Sequence, residues 1–335
     1  MEIKNKVALV LGAVKGIGKG IGLALAREGA KVALNYFDWE ESLDELQKDF
    51  AKTGQDYLIN KTDLLNTEKI QGLIKKVVNH FGRLDILINN IERGGWPVVH
   101  GPYVREQWDL EMATTLRAKR WVFDSALPYL KASGDGVVIN FSSIAGMVGR
   151  SGPASYIFNE GYAAANRGIS LLTETWARMG APEVRVNEIM LGFVETRHGA
   201  KTRGWGLLSD EQKAALYDHT LLRRTGTIED VVKAVIFIIK DAPFMTGSVL
   251  RLDGGYVLGG DKVAPIPTSA LCCISQSFNV RKVRLIITKF ATPFYPERFI
   301  RGNLSLLRNR LNRTFYEFIK IKLLIFTTIP GGRAN

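Results

Sequence analysis

The chain has 335 residues, 46% of them apolar and 23% charged, a balance that excludes wholesale disorder and a collagen-like fibre. Two cysteines exclude a disulfide framework, and no apolar run reaches the about 18 residues that a membrane-spanning helix needs. The net charge of +12 is confined to one end: Lys262 to Asn335 carry 13 basic and 2 acidic side chains, against 32 and 31 in residues 1–261. The expected organisation is therefore a near-neutral body, 1–261, and a basic tail, 262–335. A charge-driven nucleic-acid partner is not expected of the body. Met1 to Asn5 lead into only a short apolar stretch, Val7 to Leu11, which predicts no signal peptide and a cytoplasmic protein.

Within the body, short apolar runs alternate with amphipathic stretches. Val7–Leu11 reads as a strand closed by Gly12. Ile17, Ile21 and Leu25, four apart, then predict a helix ending near Gly29. Lys31–Tyr36 is the next strand, 40–52 a helix, 57–62 a strand, 68–80 a helix and 84–90 a strand. A long helix is predicted from Glu106 to about Leu130, then a strand at 137–141. Another helix, 162–178, precedes a strand at 184–190. A helix at 228–240 and a strand at 248–252 complete the body. Strands alternating with helices predict βαβ units: one α/β domain, Rossmann-like and doubly wound, on a seven-stranded parallel sheet. Ligands of such sheets sit at the carboxyl ends of the strands.

Gly12-Ala13-Val14-Lys15-Gly16-Ile17-Gly18 joins the first strand to the first helix. Glycine permits a tight turn and a close backbone approach, and the helix N-terminus offers N–H groups to a pyrophosphate. The flanking strand and helix are the context that such a loop requires.

With this loop the chain resembles the short-chain dehydrogenase/reductases, whose loop is Gly-x-x-x-Gly-x-Gly. It looks closest to the 3-oxoacyl-acyl-carrier-protein reductase type. The resemblance runs from residue 3 to about 260 through Asp63-Leu64, Asn89-Asn90, Asn140 to Gly146, Gly192 to Thr196 and Asp253-Gly254-Gly255. It implies hydride transfer between a nicotinamide cofactor and a small-molecule carbonyl or alcohol, in a dimer or tetramer. Gly12, Lys15, Gly16, Ile17 and Gly18 would hold the phosphates. Asp63, Leu64 and Asn89 would line the adenine side, with Val194 and Thr196 over the nicotinamide. Tyr36, not an acid, ends the second strand, and Lys15 can meet a 2′-phosphate. Together they favour NADP, with NAD remaining possible.

For the chemistry, Ser143 would polarise the substrate oxygen. Tyr156 and Tyr162 compete for the proton-carrying role. Gly168 to Ala177 follows the family helix when Tyr162 is the anchor, and a loop absorbs extra residues more readily than a packed helix. Tyr162 with Asn166 is therefore the expected pair, on one helix face, Tyr162 moving the proton and Asn166 holding the cofactor ribose. The family has lysine where Asn166 stands and asparagine where Thr115 stands. An amide carries no charge, so Tyr162 is expected near its solution pKa and turnover in the oxidation direction is expected to rise towards alkaline pH. Other departures are Leu11 in the loop, Ile91-Glu92 after Asn90, and Leu191 before Gly192. Glu92 is either a replacement acid or base or a surface carboxylate. The alternative to an active enzyme is a catalytically impaired module of the same fold that binds a dinucleotide or a partner.

Glu195 to Leu222 and Arg93 to Pro102 are expected to be loops over the site, with His198 and His219 as solvated side chains. The tail has no family counterpart. It reads as a poorly ordered appendage, or as a basic amphipathic segment able to touch a membrane surface. Cys272-Cys273 lack metal-site spacing.

Overall fold

The computed structural model describes residues 1–92, 105–195 and 205–260, and contacts divide the chain into Met1–Asp261 and Lys262–Asn335. The apolar runs become strands because aliphatic side chains suit an extended backbone covered on both faces. They are β1 (Val7–Val10), β2 (Lys31–Tyr36), β3 (Tyr57–Lys61), β4 (Ile86–Asn89), β5 (Gly136–Ser143), β6 (Val184–Leu191) and β7 (Val249–Leu252). All seven pair in parallel, in the order β3-β2-β1-β4-β5-β6-β7. The chain winds outward from β1 in one direction and from β4 in the other. Their boundary is the switch point at which such sheets bind ligands.

The helices are α1 (Gly16–Arg27), α2 (Leu43–Ala51), α3 (Glu68–Phe81), α4 (Arg105–Glu111), α5 (Lys119–Ala132), α6 (Ala145–Val148), α7 (Glu160–Gly180), α8 (Asp210–His219) and α9 (Ile228–Lys240). Strand alternation sends Ala8 and Val10 to one face, beneath α1, α2 and α9, and Val7 and Leu9 to the other, beneath α3, α5 and α7. On the second face Phe123 of α5 stacks on Trp176 of α7, ring centroids 4.6 Å apart.

Two features depart from the expected elements. Met112–Ala118 joins α4 to α5 in wide π-helical turns. A π turn inserts a residue without breaking the helix, so it shifts which side chains face inward. Residues 210–219, read as part of a loop, form α8. Its start carries a reciprocal cap, Ser209 Oγ accepting from Gln212 N and Gln212 Oε1 from Ser209 N. Ser209-x-x-Gln212 was the available sequence signal. Among the described residues no helix is long and apolar enough to cross a membrane. Residues 93–102, 196–204 and the tail, including Thr196 and His198, lie outside the described residues.

Candidate active site

The turn after β1 is built on two left-handed glycines, Gly12 (φ +62°) and Gly16 (φ +60°). A Cβ on Gly12 would lie 2.6 Å from the Asn90 carbonyl oxygen, and one on Gly18 2.8 Å from Asn90 Nδ2. Asn90 Nδ2 in turn donates to the carbonyls of Leu11 (3.4 Å) and Gly12 (3.3 Å). Lys15 is the extended residue before α1, and no side chain caps the helix start. A backbone cradle with an uncapped helix N-terminus is what a phosphate needs.

This cradle floors a cleft of about 370 Å³ at the carboxyl ends of β1, β2, β4 and β5. Gly12, Lys15, Gly16 and Ile17 line it, with Tyr36 to Trp39, Asp63 and Leu64 at the same end. The Lys15 ammonium lies 2.8 Å from the centre of the Trp39 ring, so the cation stands beside the carboxyl end of β2. Gly18 and Asn89 do not line the cleft. Gly18 packs beneath Gly12, and Asn89 turns sideways to donate from Nδ2 to Asn140 Oδ1 at 2.8 Å. Asn90, the first residue beyond β4, lines the cleft in its place.

At the other end stand Ser143, Tyr162, Glu92, Lys119, Val194 and an aromatic wall. Ser143 ends β5, with Oγ accepting from Ala145 N at 3.1 Å. Gly146 brings this turn against α7: a Cβ there would lie 2.7 Å from Arg167 N and 2.9 Å from Asn166 C. Asn159 caps α7, its Oδ1 accepting from Tyr162 N at 2.8 Å and its Nδ2 donating to the buried Glu111 at 2.6 Å. These contacts fix where Tyr162 enters the cleft. Tyr156 sits in the preceding 3₁₀ turn and does not line it.

Ser143 and Glu92 both act on the Tyr162 side chain. Burial, and then the neighbouring Glu92 carboxylate, raise its pKa well above 10; Ser143 acts the other way. This corrects the expectation of a solution-like tyrosine, which counted only the missing lysine. Asn166 is fully buried behind Tyr162. Its Nδ2 donates to the Tyr162 carbonyl (2.9 Å) and to Glu92 Oε1 (3.4 Å), and its Oδ1 has no partner among the described residues. Thr115 is also buried, its Oγ1 unpartnered among the described residues, off the cleft surface. His219 packs on Tyr256, centroids 4.5 Å apart, away from the cleft.

Lys119 is a cleft residue that the sequence reading missed. It is fully buried and its Nζ donates to the Phe141 carbonyl at 2.6 Å. Burial lowers its pKa to about 8, against the opposing pull of Glu92 and Glu188. The signal was a lysine in the apolar stripe it shares with Val122 and Ala126.

Beyond Tyr162 the wall is apolar. Phe158 lies 5.6 Å from Tyr162 and stacks on Phe193 at 5.4 Å, and Phe193 meets Trp205 at 6.3 Å, all between ring centroids. Among the described residues no cluster of His, Cys, Asp and Glu could hold a metal ion.

A doubly wound parallel sheet, a glycine cradle at its switch point and a serine–tyrosine pair beside it define a dinucleotide-dependent oxidoreductase fold. The family described as Enoyl-(Acyl carrier protein) reductase matches residues 12–257, and the chain belongs to this family of short-chain dehydrogenase/reductases. The 3-oxoacyl-acyl-carrier-protein reductase of Thermotoga maritima is 31% identical over 265 residues, covering 77% of this chain and 100% of that protein. A probable galactose dehydrogenase of Rhizobium meliloti is 30% identical over 257 residues, 76% of this chain and 96% of that one. Among solved structures, a Sinorhizobium meliloti protein described as a short-chain alcohol dehydrogenase superposes with a TM-score of 0.68. It is 26% identical, covering 76% of this chain and 98% of that one. The chain is thus an oxidoreductase of the hydride-transferring kind.

Proposed function

We propose that this protein reduces the carbonyl of an apolar, 3-oxoacyl-like substrate with NADPH, or oxidises the corresponding alcohol. The observation that carries the reading is that Ser143, Tyr162 and Glu92 line one cleft together with the glycine cradle. The residues present fit a dinucleotide. The cradle leaves room that a Cβ would fill, the N-cap residue of α1 makes no side-chain capping bond, and Asn166 Oδ1 is a buried acceptor without a partner among the described residues. Gly12, Gly16 and the start of α1 would hold the phosphates, Asp63 and Leu64 the adenosine, and Lys15 a 2′-phosphate. Thr196 and Val194 remain proposed contacts at the nicotinamide end. When bound, the cofactor supplies or accepts the hydride.

The protein's own part is proton transfer. In the oxidation direction the alcohol O–H proton passes to Tyr162, which gives its own proton to Glu92. The reduction direction runs the same path in reverse. Ser143 donates to the substrate oxygen and fixes its position. Because Tyr162 passes a proton on as it receives one, no free phenolate has to accumulate against its raised pKa. The aromatic wall of Phe158, Phe193 and Trp205 suits an apolar chain better than a sugar.

One observation favours a second reading: a tyrosine held this firmly neutral, beside an amide where the family has lysine, also suits a binding module without turnover. NADPH oxidation with a short 3-oxoacyl thioester separates the two. Turnover lost in Tyr162→Phe supports the enzyme. Nucleotide binding with no turnover across a carbonyl panel overturns it in favour of the module.

A further inference from the structure

Lys119 stands in the wall of the cleft and has no part in the proton path. It lies on the inward face of α5, where the neighbouring positions are apolar. Its hydrogen bond has a structural reason. Val137 N bonds Asp85 O across to β4, so alternate residues of β5, including Phe141, face that strand. The last pairing with β4 is Asn89 with Asn140, and the Phe141 carbonyl lies beyond it. Lys119 Nζ satisfies that carbonyl at 2.6 Å. A neutral donor would do the same. A buried ammonium is a far more expensive choice unless its charge is used.

Two carboxyl groups act on the ammonium through space: Glu92, from the segment after β4, and Glu188, from β6. Glu188 is itself hydrogen-bonded by Ser142 and by Ser170 of α7 and is acted on by Arg167. Glu111 acts on Tyr162 from α4. The reaction end therefore has Glu92 in its wall, with Glu111 and Glu188 buried behind it and burial raising the Glu188 pKa; an oxidised nicotinamide ring is a cation.

We infer that Lys119 sets the charge balance of the reaction end, offsetting Glu92 and Glu188 so that the oxidised cofactor is not held too tightly. It is a positioning residue that acts through the electrostatic potential. Asn166, beside Tyr162 on α7, carries no charge, and the buried cation of the cleft comes from α5. The inference rests on the dinucleotide reading above and adds a direction to it: Lys119 favours release of the oxidised form, as a reductase requires.

The test is the ratio of the dissociation constants of NADP⁺ and NADPH, measured by calorimetry on the full chain. In the unaltered protein the ratio falls as pH rises through about 8, where the ammonium loses its charge. The adenosine phosphate titrates alike in both ligands and cancels. At pH 7, Lys119→Gln and Lys119→Met both lower the ratio by about tenfold, an effect expected of one nearby unit charge at an effective dielectric of about 20. Glu92→Gln raises it. Gln keeps a donor for Phe141, so a Gln variant that behaves as the unaltered protein while Met does not would reduce Lys119 to a carbonyl cap and overturn the inference. So would a ratio that stays flat from pH 6.5 to 9.5, a measurement that needs no variant to fold. Binding of neither nucleotide at millimolar concentration would instead remove the dinucleotide reading, and this inference with it.

Discussion

Tyr162 is held neutral by its burial and by Glu92. The proposed path depends on that carboxylate being able to take the proton. Glu92→Gln is expected to slow oxidation by about 10² or more, the scale of a lost acid–base partner. The residual rate should climb steeply with pH, because only the phenolate can then accept the alcohol proton. A variant whose pH–rate profile matches the unaltered protein would remove Glu92 from the path. Lys119 predicts a stability effect of definite sign. Its folded pKa, about 8, lies below its ordinary 10.5, so between these values the unfolded chain binds more protons. Stability therefore rises across that window, by at most about 3 kcal/mol. Urea unfolding at pH 8 and pH 10 should show the rise in the unaltered protein and lose it in Lys119→Met.

At the scale of elements, α7 is the part that assembles the site, and two contacts aim it. Asn159 holds its first turn while bonding Glu111 at the end of α4. Asn159→Ala removes a cap and a buried hydrogen bond, and should cost about 2–3 kcal/mol in urea unfolding. An unchanged midpoint would mean that the cap contributes nothing. Gly146 lets the serine turn lie against the α7 backbone. Gly146→Ala pushes the two apart and should separate Ser143 from Tyr162. Turnover is then expected to fall about 10²-fold while nucleotide binding persists, since the cradle is on α1. Equal loss of both would show a general collapse instead.

Across the whole molecule, the cleft joins elements from both halves of the sheet, so ligand binding stabilises the folded state as a unit. The full chain at one hundred times the dissociation constant should gain about 2.7 kcal/mol, read as a rise of some degrees in Tm. A larger rise with NADPH than with NADH is expected from Lys15 at the β2 edge, where Tyr36 stands in place of an acid. The reverse order would assign the cofactor as NAD. Oligomers are common among relatives of this fold, and dimer or tetramer formation remains a proposal for sedimentation to test.

The seven strands, their alternation with helices and the glycine loop were legible in the residues themselves. Apolar runs covered on both faces, the 3.6-residue stripes of α1 and α7 and the glycine spacing after β1 are local signals with local causes. The choice of Tyr162 over Tyr156 came from helix register, again a local property. The state of the site was not local. Tyr162 is raised well above 10 by burial and by Glu92, which is 70 residues away in the chain. Asn89 turned out of the cleft and Asn90 into it because of where β4 stops. Lys119 became a buried cation because the π turns of Met112–Ala118 and the end of β4 place it under an unpaired carbonyl. Periodicity and turn chemistry act between neighbours in sequence, so the amino-acid sequence alone determined the scaffold and its cradle. Desolvation and charge act between neighbours in space, so only the tertiary structure decided which groups hold the protons.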